Sequence, residues 1–473
     1  MFIKNLSQLL PKDLLKTNLE LRKIGLECVE RALTAVRPEI LLEKSVKLDD
    51  DKLIIQNDIF RLNSFRNIYI IGGGKASAQL SFSLEKKLKS ANYSNYEGII
   101  NVPETLGIEK SDMTGKIKIN FASHPIPNES GLNGTKLMMK LIENTHKNDL
   151  VVCLLSGGGS ALLPLPKKGI TLKDKQAINS LLLASGASIH EINTIRKHLS
   201  DFKGGNLAKK LYRLSKATMI SLIISDVVGN DLNTIASGPT VPDSTTFKEA
   251  VAILKKYDLL EKVPLSVKEA LNEGLIRKEL ETPKPNDSCF RNVYNYLLGS
   301  VNSAAQEISF YLQQQGFEVN YFSDKIVGEA KEFGKELYQI MTQKAEKIFE
   351  TKKSDKIALI GTGELSVTIN GKGIGGRNQD MLLSFLDFVK NREIRTTFLI
   401  LGTNLDGIEG NSKAMGALVD NYSLNQAMKE KLDTKKFLEN NDSNSFFKIL
   451  ASEIITGSTG CNVNDLVLIL ILK

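Results

Sequence analysis

Several residue types and patterns are scarce in this sequence. It has no tryptophan and only four cysteines and four histidines among 473 residues. The cysteines lie far apart and form no CxxC pair, which argues against a disulfide framework and a thiolate zinc site. No run of basic residues interleaved with aromatics is present, which disfavours nucleic-acid binding. The longest apolar run, LVLILIL at 466–472, is too short to cross a bilayer, and the first residues lack a signal-peptide pattern. We therefore expect a cytoplasmic protein with no nucleic-acid or membrane partner.

Net charge and length narrow the class of protein further. Lys and Arg outnumber Asp and Glu by 62 to 54, which gives a net charge of +8. The excess is spread along the chain, which favours weak attraction of small anionic ligands. Since a chain of 473 residues is too long for one ordinary hydrophobic core, we expect two or three domains. As a separate expectation, we consider a homodimer.

Alternating helical and β-rich segments predict the fold class. Residues 14–36 have the apolar spacing of an amphipathic helix, and Val/Ile/Leu-rich strands separated by helices follow between 67 and 225. Such strands are typical of a parallel sheet covered on both faces. A second series begins near 296 and ends with LVLILIL. Within it, LSVTINGKG reads as a strand entering an Asn-Gly hairpin turn, so we expect the second sheet to be mixed.

We therefore predict a two-domain α/β protein. Residues 1–260 would form a Rossmann-like domain with a mainly parallel sheet, and residues 291–473 a second α/β domain with a mixed sheet. Residues 261–290 contain KVP and ETPKPNDS without a buried strand pattern, which indicates a connecting region.

The glycine-rich loop GGGKASA (72–78) follows a predicted strand, where ligands of open α/β sheets bind. The dinucleotide fingerprint fails because Ser77 stands where a third glycine is needed, and the Walker A pattern fails because Ala76 replaces Ser or Thr. What remains is a turn at a helix N-terminus with Lys75 in the first helical turn. A lysine there opposes the helix dipole unless an anion pairs with it. Lys75 is thus a candidate for phosphate or carboxylate binding, and a solvated lysine is the alternative.

The segment LLSGGGSALL (154–163) presents a similar loop after a later strand. A serine nucleophile in a G-x-S-x-G elbow would need glycine at 162, where Leu162 stands. Two interpretations remain: a tight turn that permits close packing, or backbone amides presented to nucleotide phosphates. The second makes the following residues candidates for cofactor binding: Gly157, Gly158, Gly159 and Ser160.

Charged residues in other loops add candidates. Asp226 follows the strand TMISLIIS and suits magnesium binding or acceptance of a hydroxyl proton, with a turn or N-cap role as the alternative. Arg377 follows a glycine turn that opens a helix, and a bound polyanion would explain it as it would Lys75. His124, in SHPIPNESG, is either a substrate contact or a structural turn residue. Further candidates for cofactor binding are Gly74, Asn230, Gly361 and Glu364, while Asp406 and Glu409 suit either ligand contacts or turns.

Eight long and idiosyncratic segments follow one another along the chain: GGGKASA, SHPIPNESG, LLSGGGSALL, INTIRKHLSDFKGGNLA, ISDVVGNDLNTIASGPT, GTGELSVTINGKGIGGRNQD, GTNLDGIEGNSKAMGALVD and TGSTGCNVNDL. In these segments and their order the chain resembles the MOFRL-containing glycerate 2-kinases, from about residue 20 to its C-terminus. Lys75, Asp226 and Arg377 match the family's key active-site lysine, aspartate and arginine.

The resemblance implies an enzyme that uses ATP and Mg²⁺ to phosphorylate the 2-hydroxyl of D-glycerate in an interdomain cleft. On this hypothesis the amides at 157–160 hold nucleotide phosphates, while Lys75, His124 and Arg377 contact substrate. Asp226 orients or deprotonates the hydroxyl, or ligates magnesium. The rivals are an oxidoreductase of the hydroxypyruvate reductase type, which would need a dinucleotide site that the failed fingerprint argues against, and a non-catalytic binding protein.

Overall fold

A computed structural model describes residues 1–108, 113, 115–350, 354–461 and 463–473, with the side chains of 347 and 348 left aside. The helices are α1 (Leu6–Leu9), α2 (Lys16–Ala35), α3 (Pro38–Ser45), α4 (Ser77–Ser90), α5 (Glu129–Glu143), α6 (Gly159–Leu162), α7 (Leu172–Ala184), α8 (Ile189–His198), α9 (Asn206–Leu214), α10 (Phe247–Lys256), α11 (Leu265–Ile276), α12 (Val301–Gln314), α13 (Ala330–Glu350), α14 (Arg377–Val389), α15 (Asn421–Lys429), α16 (Thr434–Glu439) and α17 (Ser443–Ile449). The strands are β1 (Val46–Asp49), β2 (Lys52–Ile55), β3 (Asp58–Arg61), β4 (Ile68–Gly73), β5 (Tyr96–Pro103), β6 (Ile117–Ala122), β7 (Leu150–Leu155), β8 (Thr218–Ile224), β9 (Val293–Gly299), β10 (Glu318–Ile326), β11 (Lys356–Gly363), β12 (Thr397–Asn404), β13 (Gly416–Asp420), β14 (Glu453–Ile454) and β15 (Asp465–Leu472). None of these described helices has the length and apolarity needed to cross a membrane.

Contacts divide the chain into two compact units. Unit 1 consists of Met1–Arg37 together with Gly299–Lys473, and unit 2 consists of Pro38–Leu298. Each unit contains its own six-stranded sheet. The predicted α/β class, with a mainly parallel sheet and a second mixed sheet, is confirmed.

Unit 2 is organised around the sheet of order β6-β5-β4-β7-β8-β9. The neighbouring pairs from β6 to β8 are all parallel. Strands β4 and β7 are buried along their whole length, as continuous Ile, Val and Leu runs predict for a sheet covered on both faces. A separate apolar cluster joins α7, α8, α10 and α11 through side chains that include Ile178, Ile195, Leu254 and Leu271.

Unit 1 contains the sheet of order β10-β11-β15-β12-β13-β14. Strands β10 and β11 are parallel, whereas β15 runs antiparallel to both of its neighbours, β11 and β12. Helix α2 packs on this sheet so closely that a Cβ at Gly25 would lie 2.5 Å from Leu399 Cδ2. Arg22 on α2 also forms a buried ion pair with Asp420, with Nε 2.8 Å from Oδ2.

Two local predictions about the second sheet are wrong. No hairpin forms at LSVTINGKG, since residues 367–376 contain no strand; the sheet is mixed because β15 inserts between β11 and β12. The strand expected to open the second series is β9, which lies at the edge of the first sheet beside β8. Its apolar pattern identified a strand but carried no information on which sheet it joins.

The N-terminal helix predicted over 14–36 is confirmed as α2, yet it packs within unit 1 rather than with the residues that follow it. Within the predicted connecting region, α11 buries Val267 and Leu271 in the apolar cluster of unit 2. The boundaries at 260 and 291 stay a prediction.

Candidate functional site

Three of the expected site segments follow neighbouring parallel strands of unit 2. Gly73 at the end of β4 pairs with Leu155 at the end of β7, and Leu155 pairs with Ile223 near the end of β8. The carboxyl ends of these strands therefore lie at one edge of the sheet. Lys75, residues 156–160 and Asp226 come directly after them, so the structure brings these three segments together.

The SGGGS loop, Ser156–Ser160, follows β7 and depends on its glycines. Gly158 has φ of 82°, and a Cβ there would lie 3.0 Å from His124 Cδ2 and 3.6 Å from Lys75 Cγ. A Cβ at Gly159 would come within 2.7 Å of the Cβ of Ala236. A tight turn with close packing thus accounts for both residues by itself. It also places the loop backbone beside His124 and Lys75, where an anion could meet it.

Ser160 belongs to a hydroxyl pair rather than to a nucleophile–histidine pair. Its Oγ lies 2.8 Å from Ser237 Oγ, and Ser237 donates to Asn193 Oδ1 at 3.0 Å. Helix α6, which begins at Gly159, has only four residues, so its dipole adds little to anion binding. Any phosphate contact of this loop would have to come from individual amides and from the Ser160 hydroxyl.

The backbone of the first glycine loop is bonded within the protein. The amide of Gly74 donates to the carbonyl of Asn101 at 3.1 Å, and the amide of Lys75 donates to the carbonyl of Gly157 at 2.8 Å. The amide of Ala76 donates to Ser156 Oγ at 3.0 Å. The sequence predicted Lys75 in the first turn of a helix, whereas α4 begins two residues after it, at Ser77. The assignment of Gly74 as a nucleotide contact stays a prediction.

Asp226 is half-buried and opens a loop with unusual backbone geometry. Asn230 has φ of 57°, and Ala236 and Ser237 have φ of 50° and 59°. Left-handed conformations are uncommon for residues other than glycine, and such strain is concentrated at functional sites. The second acid of the loop, Asp231, accepts from the amide of Asn233 and the hydroxyl of Thr234, both at 3.0 Å, and so stabilises the turn.

His124 follows β6 at the same edge of the sheet. Burial, and then the positive charge of Lys75, lower the pKa of its imidazole below the ordinary value. This favours the neutral form of the ring, which can donate one hydrogen bond and accept another. This suits a contact with a substrate hydroxyl and keeps open the role predicted from the sequence.

Arg377, the first residue of α14, lies in unit 1 and is held by two carboxylates. Its Nε and Nη2 contact Asp465 at 2.5 and 2.9 Å, and its Nη1 contacts Glu364 at 2.6 Å. Burial would lower the pKa of Arg377, but Asp465 and Glu364 outweigh burial and raise it. Burial raises the pKa of Asp465 to about 6, although Arg377 opposes this. The helix-terminal arginine is thus explained by protein carboxylates without a bound polyanion.

Glu409 serves the N-terminus of the same helix. Its carboxylate accepts from the backbone amides of Asn378 and Gln379 at 2.9 and 3.0 Å and from both of their side-chain amides. Burial raises the pKa of Glu409 to about 7 against these donors. Of the two roles open for Glu409, the structure supports the structural one. Gly361 lies inside β11, two residues before its end, and pairs with Ser323 and Val467.

A cavity beside the SGGGS loop is lined by basic side chains that were not predicted from the sequence. Its lining includes Lys175, Arg196 and Lys203 together with His124 and Ser160. Arg196 and Lys203 belong to the segment INTIRKHLSDFKGGNLA, one of those that resemble the family. The available signal was a cluster of basic residues on a segment with apolar helical spacing, but spacing cannot show that a lysine is buried.

Comparison with known proteins agrees with this architecture. A family model described as a domain of unknown function (DUF4147) matches residues 25–272, and the MOFRL family model matches residues 357–465. A glycerate 2-kinase of Pyrococcus horikoshii is 37% identical, with 96% of this chain and 98% of that protein covered. A putative hydroxypyruvate reductase of Agrobacterium vitis is 33% identical, with 91% and 93% covered.

A solved structure extends the likeness to three dimensions. The crystal structure of a glycerate kinase from Thermotoga maritima superimposes with a TM-score of 0.80 at 32% identity, over 96% of this chain and 100% of that one. The MOFRL family model and the nearly full-length glycerate kinase relatives support one conclusion: the chain belongs to the family of MOFRL-containing glycerate 2-kinases.

Proposed function

We propose that this protein transfers the terminal phosphoryl group of ATP to the 2-hydroxyl of D-glycerate, giving 2-phosphoglycerate and ADP. The observation that carries the proposal is the placement of Lys75, the SGGGS loop and Asp226 at one edge of a parallel sheet. For phosphoryl transfer a protein mainly has to align the reacting groups and neutralise the charge on the transferred phosphoryl group. A cation, a glycine loop and a carboxylate at one edge supply these functions, and family membership supports the same reaction.

Each segment has a distinct role in this proposal. Lys75 neutralises charge on the transferred phosphoryl group, while amides of the SGGGS loop and the Ser160 hydroxyl contact nucleotide phosphates. Asp226 accepts the proton of the attacking hydroxyl or orients it. His124, whose lowered pKa favours the neutral ring, binds a substrate hydroxyl. Arg377 stays a predicted catalytic residue, and Asn230, Gly361 and Glu364 stay predicted nucleotide contacts.

A magnesium ion fits this site only as a partner of the nucleotide. Among the described residues no group of three or more His, Cys, Asp or Glu side chains could hold an ion. Mg²⁺ usually takes one or two protein carboxylates, with phosphates and water completing its shell. Asp226 is the carboxylate that would hold it here, and the ion would supply charge neutralisation between phosphates.

Product analysis tests the proposal. The purified protein is incubated with ATP, Mg²⁺ and D-glycerate, and the product is identified by phosphorus NMR; 2-phosphoglycerate is expected. A parallel reaction with NADH and hydroxypyruvate, without ATP, follows absorbance loss. Oxidation of NADH without any phosphoglycerate would establish the reductase instead. ATP binding without either reaction would establish a binding protein. Sedimentation analysis would test the homodimer that we also propose.

A further inference from the structure

Unit 2 contains a cavity of about 200 Å³ that opens beside the SGGGS loop. Its lining includes Gly158, Ser160 and His124 as well as Lys175 and Lys203. Most of the remaining wall is formed by aliphatic and proline side chains. A water molecule occupies about 30 Å³ of liquid, so the cavity accommodates roughly seven non-hydrogen atoms. It therefore has room for a three-carbon hydroxy acid.

Two lysines in this wall are buried without a partner. Lys175 is 9% exposed and Lys203 is 1% exposed. Within the part of the chain that the structure describes, the Nζ atom of neither lysine has a hydrogen-bond partner. Buried polar groups in native proteins are normally satisfied, and an unpaired buried ammonium is among the most costly exceptions. An apolar side chain of similar length would fill the space at these two positions equally well.

The charged groups that affect the pKa values of these two lysines are mainly other basic side chains. Burial, reinforced by Lys175 and Arg196, lowers the pKa of Lys203 well below its ordinary value. Burial and then Arg196 lower the pKa of Lys175 to about 8, with only Asp201 acting in the opposite direction. Three basic side chains thus line one small cavity. An anion in that space would relieve their mutual repulsion and their desolvation together.

Contacts with Asn179 fix the position of the Arg196 guanidinium in this wall. Its Nε donates to Asn179 Oδ1 at 2.8 Å, and its Nη2 contacts the same oxygen. Asn179 and Lys175 lie one turn apart on α7, so a single helix positions both the arginine and one lysine. The wall also joins the SGGGS loop, because Ser237 bonds Ser160 on one side and the amide of Gly204, next to Lys203, donates to the carbonyl of Ser237 at 2.9 Å.

We propose that this cavity is the acceptor-substrate pocket and that Lys203, Lys175 and Arg196 bind the carboxylate of a small hydroxy acid there. The proposal rests on the proposed function and assigns to these residues the carboxylate contact that the sequence suggested for Lys75 or Arg377. It follows that the carboxylate occupies the cationic end, while the rest of the acid extends toward His124 and Ser160 at the SGGGS loop.

The test replaces Lys203 by methionine in the full-length protein. Lys203→Met keeps the length and apolar stem of the side chain and removes the buried ammonium, so the variant is expected to fold and to melt at an equal or higher temperature. Calorimetric titration with D-glycerate, without nucleotide, is expected to show binding weakened roughly 10- to 100-fold. The KM for glycerate should rise by a similar factor while the KM for ATP stays unchanged.

The matched control is Lys173→Met, which removes a lysine from the exposed face of α7, two residues from Lys175. It is expected to bind glycerate like the parent protein. Lactate, which keeps the carboxylate, should compete for the pocket, whereas glycerol, which lacks it, should not. Unchanged glycerate affinity in Lys203→Met, or a rise in the KM for ATP alone, would overturn the proposal.

The binding arm separates this inference from the proposed function. If Lys203→Met loses glycerate binding while the parent protein shows no kinase activity, the pocket stands and the kinase proposal fails. If the parent protein is a glycerate kinase and Lys203→Met retains both its affinity and its KM, the kinase stands and the pocket assignment fails. Titration with inorganic phosphate in place of glycerate identifies a pocket for phosphate: tighter binding of phosphate than of glycerate would contradict the carboxylate assignment.

Discussion

Asp226 is the single carboxylate that we place at the reacting hydroxyl, so its substitution has a defined consequence. Asp226→Asn keeps the size of the side chain and removes its basicity, and kcat is expected to fall by about 10² to 10⁴. A coupled assay for ADP measures the loss. Asp231→Asn serves as a control, since that carboxylate stabilises the turn and its loss should affect melting temperature more than turnover. Turnover near the parent value in Asp226→Asn would remove Asp226 from the reaction.

Arg377 offers a second test of a residue's role. If it stabilises transferred charge, Arg377→Ala is expected to lower kcat on the order of 10³-fold. A change confined to the KM for glycerate would assign Arg377 to carboxylate binding instead. The variant leaves Asp465 buried without its cation, so the folded fraction has to be measured alongside by circular dichroism. Arg395→Ala, with a side chain 84% exposed, is the control and should change neither constant.

Among elements, the segment that joins α11 to β9 is fixed by Glu281. Its Oε1 lies 2.8 Å from His198 Nε2 at the end of α8, and its Oε2 accepts from the amide of Phe247, the first residue of α10. Burial raises the pKa of Glu281, but the hydrogen bond and charge of His198 outweigh burial and lower it to about 2 from an ordinary 4.5. The folded-state pKa is thus depressed. The carboxylate stabilises the fold above about pH 4.5, and this stability is lost as pH falls toward 2.

Glu281→Gln is therefore expected to destabilise the protein by about 2 kcal/mol at neutral pH. The difference from the parent should shrink as the pH is lowered from 4.5 toward 2. Urea unfolding at several pH values measures both effects. The neighbouring Glu279→Gln, whose side chain is 59% exposed, is the control and is expected to leave the unfolding curve almost unchanged. A difference for Glu281→Gln that is independent of pH would contradict the assignment.

Elements were predictable where one local pattern determines them. Helix α2 follows from apolar periodicity, and the strands β4, β7 and β15 follow from continuous apolar runs. The loops after parallel strands follow from the rule that ligands bind at the carboxyl ends of such strands. The membership of β9 in the first sheet was not predictable, because pairing is decided by contacts distant in sequence. For the same reason the burial of Lys175 and Lys203 was not predictable, because it comes from helices packed around them. The carboxylates that hold Arg377 were not predictable either, since Asp465 lies 88 residues away.

At the scale of the whole molecule, the first residues complete the packing of the last ones. Helix α2 covers β12 through Gly25 and Leu399, and Arg22 satisfies Asp420 with two hydrogen bonds at 2.8 and 2.9 Å. The Arg22 and Asp420 side chains are only 2% and 1% exposed. Removal of one partner from a buried ion pair leaves an uncompensated charge, at a cost of about 3–5 kcal/mol. The predicted boundary at 291 would remove that partner from the second domain.

Fragments test which division of the chain describes folding. Residues 38–298 are expected to unfold cooperatively on their own, whereas 291–473 alone should be unfolded or aggregated, because the β12 face and Asp420 lack α2. Joining residues 1–37 to 299–473 by a flexible linker should restore a cooperative thermal transition, and the same fusion with Arg22→Met should lose much of it. Circular dichroism and amide hydrogen exchange measure these outcomes. A cooperative transition for 291–473 alone would show that the boundary predicted from the sequence, rather than the packing of α2, defines the folding unit.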